Sequence, residues 1–285
     1  MANKLLIPVD FSQYSQKAIE YACLLSRTAK HSLVLIHVFT DHINVYRNSI
    51  ENTDLLDPRV AEAKNSMEKL ISDIKEENPE IRISSVFSNG NLFEEIEKIA
   101  SKDNYDAIIM GTKGSSGLDS LLIGSNMFDV FQNTQTPVLA VPYSEKAYRA
   151  EKIGLLCNFK DGEIDVLKQA TALYNQDFEL LLIHINTADE SIQALDSKFA
   201  AFIERIIDET GIDNISYTIK TQAFLIQYKE DISSAIDSVI ADELLDVLLV
   251  TKSKKGFLRK IIEENIVKRM AYQIQIPKFF AKSNI

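Results

Sequence analysis

Between residues 107 and 125 the chain places small and apolar residues in an order that suits one kind of chemistry. The apolar run Ala107-Ile108-Ile109-Met110 leads into Gly111-Thr112-Lys113-Gly114, and a glycine-serine pair, Gly124-Ser125, follows further on. A strand that ends in spaced glycines bares backbone N–H groups at the mouth of a parallel sheet. There they can cradle a phosphate chain, with the N-terminus of the next helix adding positive potential. The pattern points to nucleotide binding. Other phosphate and acyl-transfer signatures are missing: no G-x4-G-K-[ST] loop and no G-x-S-x-G elbow occurs. The histidines His31, His37, His42 and His184 have no metal-ligand spacing. His37 and His184 fall at matching places in a repeat and read as structural residues rather than bases.

Such a loop needs a strand behind it and a sheet around it, and the sequence supplies both twice. Residues 4–11 (KLLIPVDF) align with 152–159 (KIGLLCNF), and 33–38 (LVLIHV) with 180–185 (LLLIHI). Further on, 105–110 (YDAIIM) align with 245–250 (LDVLLV), and 136–141 (TPVLAV) with 276–281 (IPKFFA). Repetition at half the chain length, with helix-rich segments between strands, predicts two copies of one α/β domain. The first copy is expected over 1–145 and the second over 151–285, with the boundary within 144–150.

Within the first copy, near-continuous Val, Ile and Leu runs predict strands at 4–9, 32–39, 81–87, 107–111 and 138–142, of the kind covered by helices on both faces. Ser12 reads as the N-cap of a helix over 16–28, in which Ala18, Ile19, Ala22, Leu25 and Ser26 recur at helical spacing. Pro58 suits the first turn of a second helix carrying Val60, Ala63, Met67, Leu70, Ile71 and Ile74 on one stripe. Ser88-Asn89-Gly90 reads as a turn before a helix over 92–101. The second copy repeats the plan with strands at 153–157, 178–185, 215–221, 247–251 and 278–281. Five strands joined by four crossovers predict, in each copy, a doubly wound, Rossmann-like parallel sheet flanked by helices. In such sheets ligands bind beyond the carboxyl ends of the strands, where strand order reverses.

Composition narrows the partners. The formal charge of −10 divides evenly, with 15 basic and 20 acidic residues in 1–150 and 16 and 21 in 151–285, so neither half offers the positive surface that nucleic acid or an anionic membrane requires. Two cysteines, Cys23 and Cys157, are too few for a disulfide framework or a zinc site and read as core thiols. No apolar stretch reaches the ~18 residues of a membrane span, and a cytoplasmic protein is expected.

The spacing G-x2-G-x9-G-[ST] behind a strand resembles the ATP-binding signature of the universal stress protein family. Val9-Asp10-Phe11-Ser12 fits that family's V-D-x-S start, and the likeness extends over nearly all of 2–143. The resemblance implies that Pro8, Val9 and Asp10 lie beside the adenosine, with Asp10 on the nucleoside, and that Val38 or Phe39 flanks the adenine. It implies that Gly111, preceded by Met110, and Gly114 admit the backbone to ribose and phosphates. Gly124 and Ser125, with the Asn126 amide, would hold the phosphate tail. The implied cofactor is ATP, with ADP or AMP as alternatives and Mg2+ as a companion. Each residue also has a plainer reading: Asp10 can cap the turn into the first helix, Gly111 can permit a tight turn, and Gly124-Ser125 can open a helix. Ser115-Ser116-Gly117-Leu118-Asp119-Ser120 resembles the pyrophosphate loop of the ATP pyrophosphatases, but it follows the fourth strand where that class has it after the first.

The second copy departs from the signature. Asp10 aligns with Asn158, Gly111, Gly114 and Gly124 with Thr251, Lys254 and Glu264, and Ser125 with Asn265. Side chains there fill the space that bare amides need, so one nucleotide per chain is expected. The basic loop Lys252-Ser253-Lys254-Lys255, with Arg259-Lys260, reads as solvated. The expected function is an ATP-binding regulatory protein of stress-response type, the second domain serving as scaffold or surface for an unidentified protein partner. Strand 138–142 could pair with 278–281 as an intrachain pseudo-dimer, and two chains could form a homodimer. A slow ATPase or adenylating enzyme using the Ser115–Ser120 loop, and a nucleotide-free scaffold, are the alternatives.

Overall fold

A computed structural model describes residues 3–39, 58–112, 130–131, 133–221, 232–252 and 275–283. They form two compact units that part between Tyr143 and Ser144. The first unit contains β1 (Lys4–Pro8), α1 (Gln13–Ala29), β2 (Ser32–Phe39), α2 (Pro58–Glu77), β3 (Ile83–Asn89), α3 (Leu92–Ala100), β4 (Ala107–Gly111) and β5 (Val138–Val141). Its strands run parallel in the order β3-β2-β1-β4-β5. The second contains β6 (Lys152–Leu156), α4 (Asp161–Tyr174), β7 (Glu179–Asn186), α5 (Ile192–Thr210), β8 (Ile215–Thr221), α6 (Ile232–Asp242), β9 (Val247–Lys252) and β10 (Lys278–Lys282). Its order, β8-β7-β6-β9-β10, is the same plan. Every strand lies within two residues of its sequence-based bounds.

The physical causes are local. Leu5, Leu6 and Ile7 of β1 and Ile108 and Ile109 of β4 are fully buried, as central strands covered on both faces must be. Edge strand β3 instead carries the exposed pair Ser84-Ser85, which lowers the hazard of edge pairing. Ser12 caps α1 by accepting the Ser15 amide, and Lys30 ends that helix in the left-handed region. α1 starts at Gln13, three residues before its expected start, because helical geometry begins directly after the cap. Asn91 caps α3, taking the Phe93 amide at 2.9 Å and the Glu94 amide at 3.3 Å. On the α2 stripe, Val60, Ala63, Met67 and Ile74 are buried, whereas Leu70 and Ile71 are half-buried. Cys23 and Cys157 are both buried core thiols, their pKa values raised by loss of solvent, that of Cys23 to about 11.

Candidate functional site

Strand order in the first unit reverses between β1 and β4, so the carboxyl ends of those strands, Pro8 and Gly111, flank the switch point. Register decides which side chains share a face. Pro8 pairs with Ile36 and Leu6 with Ile108, so strand alternation puts Pro8, Val38 and Met110 on one face and Phe39 and Gly111 on the other. On the second face Phe39 is buried in a cluster with Val60 and Ala63 of α2, and Phe11 and Phe87 pack against it. On the first face Ser88, which pairs with Val38, donates its hydroxyl to Glu95 of α3. Thus α1 and α2 cover one face and α3 the other. Val38 and Pro8 are half-buried at the crevice end of the α3 face, and Met110 is 6% exposed.

The turn leaving β1 is tightly determined. Val9 donates its amide to the Ile36 carbonyl at 2.8 Å. Its own carbonyl accepts from His37 Nδ1 at 2.7 Å. A carbonyl only accepts, so Nδ1 carries the proton, and His37 is a structural donor at the end of β2. Phe11 turns the chain with φ 60°, a left-handed conformation uncommon for so large a side chain, and its ring lies 4.9 Å from the His37 ring. The exposed Asp10 accepts the Ser12 amide at 3.0 Å and the Ser12 hydroxyl at 2.6 Å, both on Oδ1. Partial burial works to raise the Asp10 pKa, but the Ser12 hydroxyl and amide outweigh it, and the carboxyl titrates below its ordinary value. Asp10 therefore closes the turn and is a fixed, ionised acceptor.

The same joint recurs in the second unit without its acid. Phe159 has φ 60° and lies 5.1 Å from His184, whose Nδ1 donates to the Cys157 carbonyl at 2.9 Å. Asn158 replaces Asp10, and the loop amides turn instead to Glu163, which accepts from Asn158 on both oxygens at 2.8 and 2.9 Å and from Lys160 at 3.2 Å. Glu163 occupies the helix position that Ser15 holds in the first unit.

A second exchange concerns volume. A Cβ on Gly111 would fall inside the van der Waals shell of the Tyr14 carbonyl, so α1 lies directly on β4 at this point. In the second unit the strand position is Thr251, and the glycine is Gly162 on the helix. A Cβ on Gly162 would meet the Ser283 Cβ at 2.8 Å and approach Thr251 Cγ2 at 3.7 Å. Each unit thus places one glycine where the first helix meets the carboxyl ends of the strands, in the first unit on β4 against the helix backbone and in the second on the helix against Ser283, just past β10, with Thr251 in ordinary contact.

Gly114, Gly124, Ser125 and Asn126 lie outside the described residues, as do the Ser115–Ser120 loop, loop 40–57, Lys254, Glu264, Asn265 and the basic loop beyond Lys252. Sequence reasoning missed Tyr14, Gly162 and Glu163. Of these only Glu163 left a signal, a glutamate three residues after the cap position Lys160, the spacing of a capping box.

A sequence model of the universal stress protein family matches residues 1–142. The chain is 28% identical over 157 residues to a universal stress protein of Methanocaldococcus jannaschii, an overlap of 50% of this chain and 95% of that one. It is likewise 28% identical over 148 residues to universal stress protein YxiE of Bacillus subtilis, 50% of this chain and 99% of the relative. Among solved structures, a universal stress protein from Archaeoglobus fulgidus superposes with a TM-score of 0.76 at 19% identity, covering 100% of both chains, which is a likeness of fold.

Proposed function

Since the chain belongs to the universal stress protein family through residues 1–142, we propose that it is a regulatory protein whose first unit binds one adenine nucleotide, with ATP the expected ligand. The observation that carries this reading is Asp10, which is held ionised by Ser12 at the switch point of a doubly wound sheet. An exposed carboxylate held in its ionised form accepts hydrogen bonds from hydroxyl or amino donors, the groups a nucleoside presents. Pro8, Val38 and Met110 supply the apolar wall beside it. Val38 rather than Phe39 flanks the base, because the Phe39 ring is committed to packing under α2. Gly114, Gly124, Ser125 and the Asn126 amide would hold the phosphates, and bound ATP, with Mg2+, would supply a charged phosphate tail to be sensed.

Binding rather than turnover is favoured by the position of His37, which lies on the face opposite Val38 with its ring packed among Phe11, Phe39 and Phe87, away from the Pro8, Val38 and Met110 wall. In the second unit Thr251 and Asn158 stand where Gly111 and Asp10 stand in the first, and that unit is assigned to scaffold or partner contact. Among the described residues no helix is long and apolar enough to cross a membrane.

The test is the identity and amount of nucleotide released on denaturing the purified full chain. The expected result is an adenine nucleotide near one equivalent, lost in a Gly114→Glu, Gly124→Glu double variant. A parent protein that arrives empty and also fails to bind added ATP would overturn the reading.

A further inference from the structure

Glu163 is a carboxylate in a place that its fold does not require. It sits in the first turn of α4 and is only 4% exposed. Two backbone N–H groups converge on its Oε2, from Asn158 at 2.9 Å and Lys160 at 3.2 Å, while Oε1 takes the Asn158 amide at 2.8 Å. The Cys157 thiol also hydrogen-bonds to it. These donors bracket Phe159, the residue held at φ 60°, so the carboxylate fastens both ends of the strained turn to the helix. The first unit has Ser15 at this position, and its turn is closed by the exposed Asp10.

We infer that Glu163 is a proton-operated clamp on the strand-end loop of the second unit: ionised, it ties Asn158 and Lys160 to α4 through both oxygens, and protonated, it holds them more weakly, through the one oxygen that still accepts. A proton on Oε2 opposes both converging N–H groups, and one on Oε1 opposes the Asn158 amide. The Cys157 carbonyl, the strand-end acceptor beside it, already receives His184 Nδ1–H, so the neutral acid gains no acceptor there. Charged groups on the surrounding elements include Lys160 in the loop, Asp161, Asp165 and Lys168 on α4, Lys198, Arg205 and Glu209 on α5, Lys252 on β9 and Lys282 on β10. Asp161 is held by Arg205 at 2.8 Å and Asp165 accepts the Ser283 hydroxyl at 3.0 Å. Among these only Lys160 acts on Glu163 electrostatically. Burial raises the Glu163 pKa and the amides of Asn158 and Lys160 lower it, leaving it at about 7. The folded state therefore binds this proton more tightly than the unfolded chain does. The contribution to stability is present below the ordinary carboxylate range and is lost as pH rises through about 7. The clamp stands independently of nucleotide binding in the first unit.

An NMR titration of the full chain from pH 5 to 8.5 tests it, following the Asn158 and Lys160 amides with the Ser12 amide as internal control. Both second-unit amides are expected to move together with a midpoint near neutrality. Their hydrogen-exchange protection, corrected for intrinsic rates, should fall roughly tenfold on acidification, the scale of a hydrogen bond to a charged group. Glu163→Gln should flatten both responses, and Ser12 should not share the midpoint. A midpoint in the ordinary carboxylate range, or amides that do not move, would overturn the clamp. The titration of the parent protein decides the matter even where the variant is poorly folded.

Discussion

Gly111→Ala is expected to cost the first unit about 3 kcal/mol or more, at the upper end of what adding one methyl to a packed interior does. The cost is high because the obstacle is the Tyr14 carbonyl. A side chain could rotate away, but a carbonyl in the first turn of α1 moves only with the helix. That helix is anchored by Ala18, Ile19, Ala22 and Leu25, all at most 3% exposed. The matched control is Thr251→Ala, where α4 already presents Gly162 and only a small side chain is removed, at about 1 kcal/mol. Urea unfolding followed by hydrogen exchange, resolved into peptides from β1–β5 and β6–β10, separates the two. A Gly111→Ala protein whose β1–β5 peptides keep the parental midpoint would mean that α1 does not sit on β4 as described.

Lys278→Met is expected to stabilise the second unit at pH 7, against the usual direction for a core substitution. Lys278 opens β10, is 0% exposed, and stands where the first unit has the equally buried Val138. Burial pushes its pKa down and Asp237 pulls it part of the way back, leaving it at about 8. A base whose pKa is lowered on folding takes up its proton more readily in the unfolded chain. Stability therefore falls as pH drops from the ordinary lysine range to about 8 and is level below that. At neutral pH the burden is on the order of 3 kcal/mol, and an unbranched apolar side chain of similar length relieves much of it. Denaturant midpoints of parent and variant should differ most at pH 7 and converge by pH 10.5. A variant less stable than the parent at both pH values would show that the ammonium is net favourable where it lies.

The strands were legible because a buried parallel strand is a nearly unbroken aliphatic run, and nothing else in the chain looks like one. Legibility failed where that signal thins. Ser88-Asn89-Gly90 reads as a turn, so β3 was expected to end at residue 87, whereas Ser88 and Asn89 belong to the strand and pair with Val38 and Phe39 of β2. The matched histidines were readable from the repeat, since a polar residue at one place in two aliphatic strands needs one partner in both. Gly111 was recognised as special, but the proximity of Tyr14 is a contact between elements far apart in the chain, and no local pattern encodes it. Val38 and Phe39 stood as alternatives because sequence does not say which face of the sheet each occupies, and register puts them on opposite faces. Lys278 is the instructive miss: in the alignment of 276–281 with 136–141 a lysine falls opposite a valine, which is a hint of burial that charge alone conceals.

The placement of Gly111 on a strand and Gly162 on a helix has a genetic consequence. A conversion event between the two halves would overwrite a short stretch of one with the other. A tract covering only residues 10–15 would carry Tyr14 to the position of Gly162, against Ser283 and Thr251. One covering only the end of β9 in the opposite direction would carry Thr251 onto the Tyr14 carbonyl. Either event installs half of a matched pair and breaks the joint it enters. Selection against such products would act as a barrier between the halves, leaving each free to accumulate its own substitutions.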